Sequence, residues 1–347
     1  MPAGEIHRHG TGIFKRGLRY APLTLTTLAA LVPEEVEAEV AIQDEGVQPL
    51  DLEFEADLVA ISAITGTALR AYQIADGLRA RGRTVVLGGV HPTLLPEEAA
   101  AHADSVVVGY AEESWPELLR DFRAGILKRR YFRPTGRVIR GLPQARRDLL
   151  DRKRYATIQS IEATRGCPHR CDFCAVPAAW SGIYAHRPVE EVIAELETFE
   201  RRHALFVDLS PVEDTSYAKS LYRAMIPLGL RWVGLATTRI AEDPELLKLA
   251  AESGCKGLLI GFESISQATL DETQKGFHSA SAYGEVVHRL HDHGIGIQGC
   301  FVFGFDSDDA SVFERTAEFV DRTKIDLPRY AVMTPFPGTG YFRRLEA

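Results

Sequence analysis

Residues 157–177 read TIQSIEATRGCPHRCDFCAVP: a β-branched, half-apolar run leading at once into three cysteines, Cys167, Cys171 and Cys174, spaced C-x3-C-x2-C. The run predicts a short buried strand, and the cysteines fall in the loop at its C-terminal end. The residues beyond this loop decide the architecture. Strand-like runs recur as ALFVDLS (204–210), RWVGLATT (231–238), GLLIGFES (257–264), IQGCFVFGF (297–305) and RYAVMTP (329–335). Between them lie helical stretches: PVEEVIAELETFERR, TSYAKSLYRAMIPLG, DPELLKLAAESG, SASAYGEVVHRLHDHG and ASVFERTAEFVDRT. Several end in glycine, as helix C-termini often do. Six β/α units are too few for the closed eight-fold barrel. They predict a partial (β/α)6 barrel over 155–347, with its chemistry at the C-terminal ends of the strands.

Ahead of that barrel the same alternation predicts a separate α/β domain over 1–127, doubly wound and Rossmann-like. VEAEVAIQ (36–43), ADLVAISA (56–63), RTVVLGG (83–89) and DSVVVGY (104–110) read as strands of a buried parallel sheet. PLTLTTLAALVP is its first helix, and TALRAYQIADGLRARG, with apolar Leu69, Tyr72, Ile74, Ala75 and Leu78, its second. A strand should precede the first helix, yet residues 1–17 hold none, so the opening strand is expected to be missing. Residues 128–154 break the rhythm with eleven Lys/Arg against two Asp, and Pro134, Gly136, Gly141 and Pro143 punctuate them. They read as a solvated basic linker; a patch for an anionic cofactor tail or substrate is the sharper alternative.

Composition bounds the function classes. The chain has 347 residues, 45% of them apolar, with a formal net charge of -8, so its bulk charge does not suggest nucleic acid. No stretch approaches a membrane span, and MPAGEIHRHGTGIFKRG is no signal peptide, which together predict a cytoplasmic protein. Five cysteines without an export signal argue for metal-binding or packed thiols rather than disulfides. Cys255 and Cys300 lie in strand-like surroundings and read as packed.

For the three clustered cysteines, three chemistries compete. Structural zinc needs four ligands, and His169 could supply the fourth only by folding back within its own loop. Inert core cysteines fit poorly beside Pro168, His169, Arg170 and Asp172. A [4Fe–4S] cluster held by three thiolates leaves one iron open for a small molecule. CPHRCDFC, with the aromatic Phe173 before the last cysteine, resembles the signature of the radical S-adenosylmethionine (SAM) superfamily. The resemblance implies that SAM chelates the open iron, and that the reduced cluster cleaves it to a 5′-deoxyadenosyl radical that abstracts hydrogen from unactivated carbon. An external flavodoxin- or ferredoxin-type donor would supply the electron. The resemblance also implies SAM contacts. Asp208 would accept from the amino group, although DLSP departs from the family's usual turn. Glu263 would hold the ribose, with Gly261 admitting the backbone; Val302 and Gly304 would pack the adenine, and Pro335 in TPFPGT would edge it. Arg239 is a candidate partner for the SAM carboxylate. No catalytic residue beyond these is assigned.

An α/β domain placed ahead of such a barrel resembles the cobalamin-binding subgroup. The resemblance points to Ser62, Thr65 and Thr67 after one strand, and to Gly88 and Gly89 after the next, as contacts for the nucleotide tail. The Asp-x-His-x-x-Gly motif that supplies an axial histidine elsewhere is absent, and His91 in GGVHPT reads as a structural residue. Relatives continue past the sixth barrel strand into a helical region that this sequence lacks, so the chain is expected to be short of that part. The implied activity is C-methylation of an unactivated carbon in a small molecule, with cobalamin carrying the methyl group. The alternatives are radical rearrangement, cyclisation or oxidation without methyl transfer, and a non-catalytic cobalamin or iron–sulfur sensor.

Overall fold

The structure, a computed structural model, describes residues 20–133 and 139–347. These form two compact units, the first taking 20–133 with 141–160 and the second 139–140 with 161–347. The first holds a parallel sheet of β1 (Leu58–Ser62), β2 (Thr84–Gly88), β3 (Ser105–Gly109) and β4 (Arg130–Arg133), in that order. Val85, Val86 and Leu87 are all buried, yet they belong to different cores. Val85 and Leu87 pack with Val106 and the helix Ala68–Ala80, whereas Val86 packs with Val107, Trp115, Leu118 and Tyr131. Burial on both faces is why this sheet reads as continuous apolar runs, and it makes the unit doubly wound as expected.

Three sequence expectations are corrected in this unit. VEAEVAIQ forms no strand: Glu34–Val36 is a single 3-10 turn, Glu37 is left-handed at φ 50°, and 37–44 pair with no ladder. Glu37 and Glu39, alternating with apolar residues over 36–40, do not suit a sheet covered on both sides. Conversely, the segment expected as a linker contributes β4. Tyr131 is its buried anchor, donating to Asp121 Oδ2 at 2.8 Å, while Lys128 pairs with Glu117 and Asp121 and Arg130 with Glu97. The basic run disguises a strand because its charges are met by acids of the same unit. In the helix Ala68–Ala80, Tyr72, Ile74, Ala75 and Leu78 are buried, but Leu69 is 66% exposed; Ala68 and Ala71 complete the stripe instead. The expectation of a missing opening strand falls on residues outside the described ones.

The second unit is a six-stranded sheet in the order β5 (Ser160–Ile161), β8 (His203–Phe206), β9 (Arg231–Ala236), β10 (Cys255–Glu263), β11 (Gly296–Phe303) and β12 (Leu327–Val332). The ladders from β8 to β12 are parallel. Helices fall between consecutive strands, for example Thr215–Met225, Pro244–Glu252 and Tyr283–Asp292. This is the expected partial barrel. One face of each strand meets the helices: Leu258, Ile260 and Phe262 of β10 and Ile297 and Phe301 of β11 are fully buried there. The rings of Phe262 and Phe301 stack at 5.6 Å. The opposite face, with Leu259, Gly261, Gln298 and Cys300, is only half-buried. That face carries the site.

Candidate active site

The cysteine loop is held at several points. Its base is a small antiparallel ribbon, β6 (Thr164–Arg165) against β7 (Ala185–His186). Within it, Cys174 N donates to Cys171 O at 3.1 Å. Asp172 ties it outward: its amide donates to Thr273 O at 3.0 Å, its carbonyl accepts from Tyr341 N at 3.0 Å, and its carboxylate meets Arg344. His169 lies flat on Phe277, ring centroids 3.5 Å apart, and its Nε2 is 2.7 Å from Glu213 Oε2. That histidine is therefore a strut of the loop rather than a fourth metal ligand.

All three clustered thiols are partly buried, and burial is the main influence raising their pKa values, that of Cys171 to about 12. Lys275 opposes the rise at each of them, and Cys171 feels the charges of both Cys167 and Cys174. Among the described residues no three His, Cys, Asp or Glu side chains converge on one ion. Three thiols within reach of one another's charge, but not gathered on a point, suit a multi-iron cube better than a single zinc. The donor set fits a [4Fe–4S] cluster. Cys255 is fully buried and Cys300 half-buried in strands of the sheet, apart from this loop in sequence.

The expected SAM residues meet different surroundings. Glu263 ends β10 with φ 62°, a left-handed backbone that costs a non-glycine residue about 1–2 kcal/mol. Its carboxylate curls back over Gly261, where an added side chain would meet the tip of Glu263 and have to push it aside. The conformation has a clasp: buried Lys275 donates to Glu263 Oε1 at 2.7 Å and to Gly261 O at 2.9 Å. Sequence reasoning missed Lys275, which lies in TQKGF beyond a short helix. Phe173 meets Phe305 edge-on at 5.8 Å, close to Gly304, whose φ is 99° and whose amide donates to Asp308 at 2.8 Å. Val302 is half-buried on β11, and Pro335 is exposed in the turn after β12.

Asp208 has other partners than the expected amino group. It is fully enclosed, and its carboxylate accepts from the amides of Ala163 and Thr164 and from Thr164 Oγ1 at 2.7 Å. Burial pushes its pKa up to about 7 against the pull of those donors. It fixes the chain that leads into the cysteine loop. Glu213, also missed, is the more connected acid: besides His169 it accepts from Ser210, from Thr237 Oγ1 at 2.9 Å, and from Arg239 at 2.9 Å. Burial by itself would raise its pKa, but the hydrogen bond and charge of His169, with the hydrogen bonds from Ser210 and Thr237, together bring it down to about 2. Arg239 is thus already paired with an acid of the protein.

In the first unit, Ser62, Thr65, Thr67, Gly88 and Gly89 gather at the C-terminal ends of β1 and β2. Ala63 N donates to Gly88 O at 2.9 Å and His91 N to Ala63 O at 3.1 Å, which closes the two ends together. Gly89, at φ 100°, has no room for a side chain because Ser62 and Ala63 press on it; its glycine serves this contact. Ser62 is exposed, Ile64 is 59% exposed, and a side chain added at Gly66 would meet open space. A bare lip at strand C-termini fits a nucleotide tail. His91 is buried, with Nδ1 3.2 Å from Thr65 Oγ1 and Nε2 3.2 Å from Glu98. We expect His91→Ala to cost roughly 1–3 kcal/mol of stability for the partners left unpaired, and to leave bound cobalamin unaltered. The spectrum of hydroxocobalamin-reconstituted variant checks this; a histidine-dependent shift would place the imidazole on cobalt.

A six-stranded partial barrel with three cysteines in the loop after its first strand, in a chain that also carries a doubly wound unit, fits an iron–sulfur enzyme with a nucleotide-cofactor module. Residues 161–320 match the sequence model of the Radical SAM superfamily, and 12–119 that of the B12 binding domain. The chain is 35% identical over 300 residues to a bacteriochlorophyllide d C-12(1)-methyltransferase of Chlorobaculum tepidum, covering 84% of this chain and 66% of that protein. It is 31% identical over 335 residues to the bacteriochlorophyllide d C-8(2)-methyltransferase of the same organism, covering 91% and 74%. Among solved structures, the radical SAM methyltransferase TsrM from Kitasatospora setae, with cobalamin and a [4Fe–4S] cluster bound, superposes at a TM-score of 0.77. It is 18% identical, over 93% of this chain and 74% of that one. The chain belongs to the radical SAM superfamily, in the subgroup that carries a B12 binding domain. Its cofactors are accordingly a [4Fe–4S] cluster, SAM and cobalamin. No helix among the described residues is long and apolar enough to cross a membrane.

Proposed function

We propose that this chain methylates an unactivated carbon on the periphery of a chlorophyllide-like tetrapyrrole. The carrying observation is its 35% and 31% identity to two C-methyltransferases named for bacteriochlorophyllide d, along 84% and 91% of its own length. When bound, the reduced cluster supplies the electron that turns SAM into a hydrogen-abstracting radical, and cobalamin supplies the methyl group. The residues divide that work. Cys167, Cys171 and Cys174 hold the cluster, and the His169–Glu213–Arg239 node keeps their loop in place. Glu263, clasped by Lys275, offers a preset carboxylate to the ribose, with Phe173, Val302, Gly304 and Pro335 around the adenine. Ser62, Thr65, Thr67, Gly88 and Gly89 hold the cobalamin tail. A cytoplasmic flavodoxin or ferredoxin would be the electron donor.

Incubation with SAM deuterated in its methyl group tests this: we expect label in the pigment product together with 5′-deoxyadenosine. A second reading has one observation in its favour. The chain is 24% identical over 339 residues to an anaerobic magnesium-protoporphyrin IX monomethyl ester cyclase of Cereibacter sphaeroides, covering 85% of this chain and 54% of that one. Ring closure would yield 5′-deoxyadenosine with unlabelled product.

A further inference from the structure

At the edge of the second unit's half-buried face stands an arginine that no carboxylate among the described residues balances. Register across three parallel strands sets Gly261 of β10, Cys300 of β11 and Arg329 of β12 in one row. Residues paired across a parallel ladder project to the same face. The neighbours of Cys300 in β11, Gly299 and Phe301, are buried on the helix side, so this row faces the other way, the way the Glu263 carboxylate folds over Gly261. Glu263 and Lys275 neutralise each other at 2.7 Å. Arg329 has no such partner: it is exposed, and among the described residues no carboxylate pairs with it, while its charge acts on the Cys300 thiol. Strands lie ~4.8 Å apart, so its backbone is ~10 Å along the row from Gly261.

We infer that Arg329 is the anion receptor of the substrate site, and that the substrate presents a carboxylate to it. The inference deepens the tetrapyrrole reading, on which it rests for the identity of the acid, since a chlorophyllide differs from its ester by a free carboxylate. A guanidinium is well suited to this role, being planar, always charged and weakly hydrated, and it binds carboxylates through two parallel hydrogen bonds. An arginine on an edge strand also discourages aggregation, but that role would not discriminate between anions and neutral molecules.

The test uses the cluster-loaded full chain and two probes. In the first, alkylation of Cys300 by anionic iodoacetate is compared with that by neutral iodoacetamide, read by peptide mass spectrometry. Any change in thiol reactivity affects both reagents, so their ratio isolates attraction of the anion. The ratio should fall on the order of fivefold in Arg329→Gln and recover in Arg329→Lys, as expected for a single screened charge. An unchanged ratio, or a Cys300 that neither reagent reaches, overturns the proposal. In the second, bacteriochlorophyllide d and its methyl ester are titrated against both proteins. Wild type should prefer the acid about tenfold and Arg329→Gln should bind both alike, with SAM affinity equal in the two proteins. A preference retained in the variant, or a loss of SAM affinity, overturns it. If wild type binds neither pigment, the tetrapyrrole reading falls, and the alkylation ratio alone decides the role of Arg329.

Discussion

Anaerobically reconstituted protein in which Cys167, Cys171 or Cys174 is replaced by alanine will lose its iron, its sulfide and the visible absorbance of the cluster. Cys255→Ala and Cys300→Ala will keep all three. The contrast comes from position. The three thiols share one loop, feel each other's charge, and are served by one ammonium, Lys275. Cys255 is buried in the sheet and Cys300 faces Arg329 in the next strand. Two of three thiolates leave the cube short of a ligand while its remaining donors are preset, so an all-or-none loss is expected rather than a graded one. Iron and sulfide assays on the five single variants decide it. Stoichiometric zinc, copurifying and retained in the reconstituted protein, would sink the assignment.

Lys275→Met should be the most damaging change outside the cysteines. Removing one member of a nearly buried ion pair leaves the other charge without compensation, at a cost of about 3–5 kcal/mol. Here the abandoned group is Glu263, which also sits on a strained backbone and is tied by Lys275 to the carbonyl of Gly261 in the same strand. We expect SAM affinity to fall by about 1–3 kcal/mol, roughly fivefold to a hundredfold, in Lys275→Met and in Glu263→Ala alike. The double variant should lose less than the sum, because one clasp is being broken twice. Removing the positive charge should also lower the reduction potential of the cluster, since a nearby cation favours the more negative, reduced state. Equilibrium dialysis of SAM and an EPR-monitored redox titration measure the two effects. Additive losses with an unmoved potential would return Lys275 to a purely structural role.

The cysteine loop and the six barrel strands were legible because each announces itself locally, by spacing or by apolar runs. Glu263 stands out for the same reason, as an acid closing GLLIGFES. Its clasp was not: Lys275 comes twelve residues later in TQKGF, and only the fold brings it back. Glu213 hid in SPVEDTS, where Asp214 is the residue that caps the adjoining helix, accepting from Tyr217 N at 2.9 Å. Asp208 shows the converse error. Its place at a strand end was read correctly, but sequence does not reveal that Ala163 and Thr164 claim its oxygens from another strand's end. Composition misled in the same way at β4, where arginines that pair with Glu97 or cap carbonyls of Ala100 and Ala103 look like solvated charge.

Strand β12 lies at one end of the sheet, and nearly all of its residues are exposed, Val332 at 76%. Such a border is a template on which a neighbouring molecule can lay down another strand, and two residues blunt it. Pro328 withholds an amide from any incoming chain, and Arg329 sets molecules of like charge against each other. The colloidal behaviour of the protein therefore rests in part on Arg329, the residue proposed to meet the substrate, so a mutation made to probe recognition there also loosens a safeguard against precipitation.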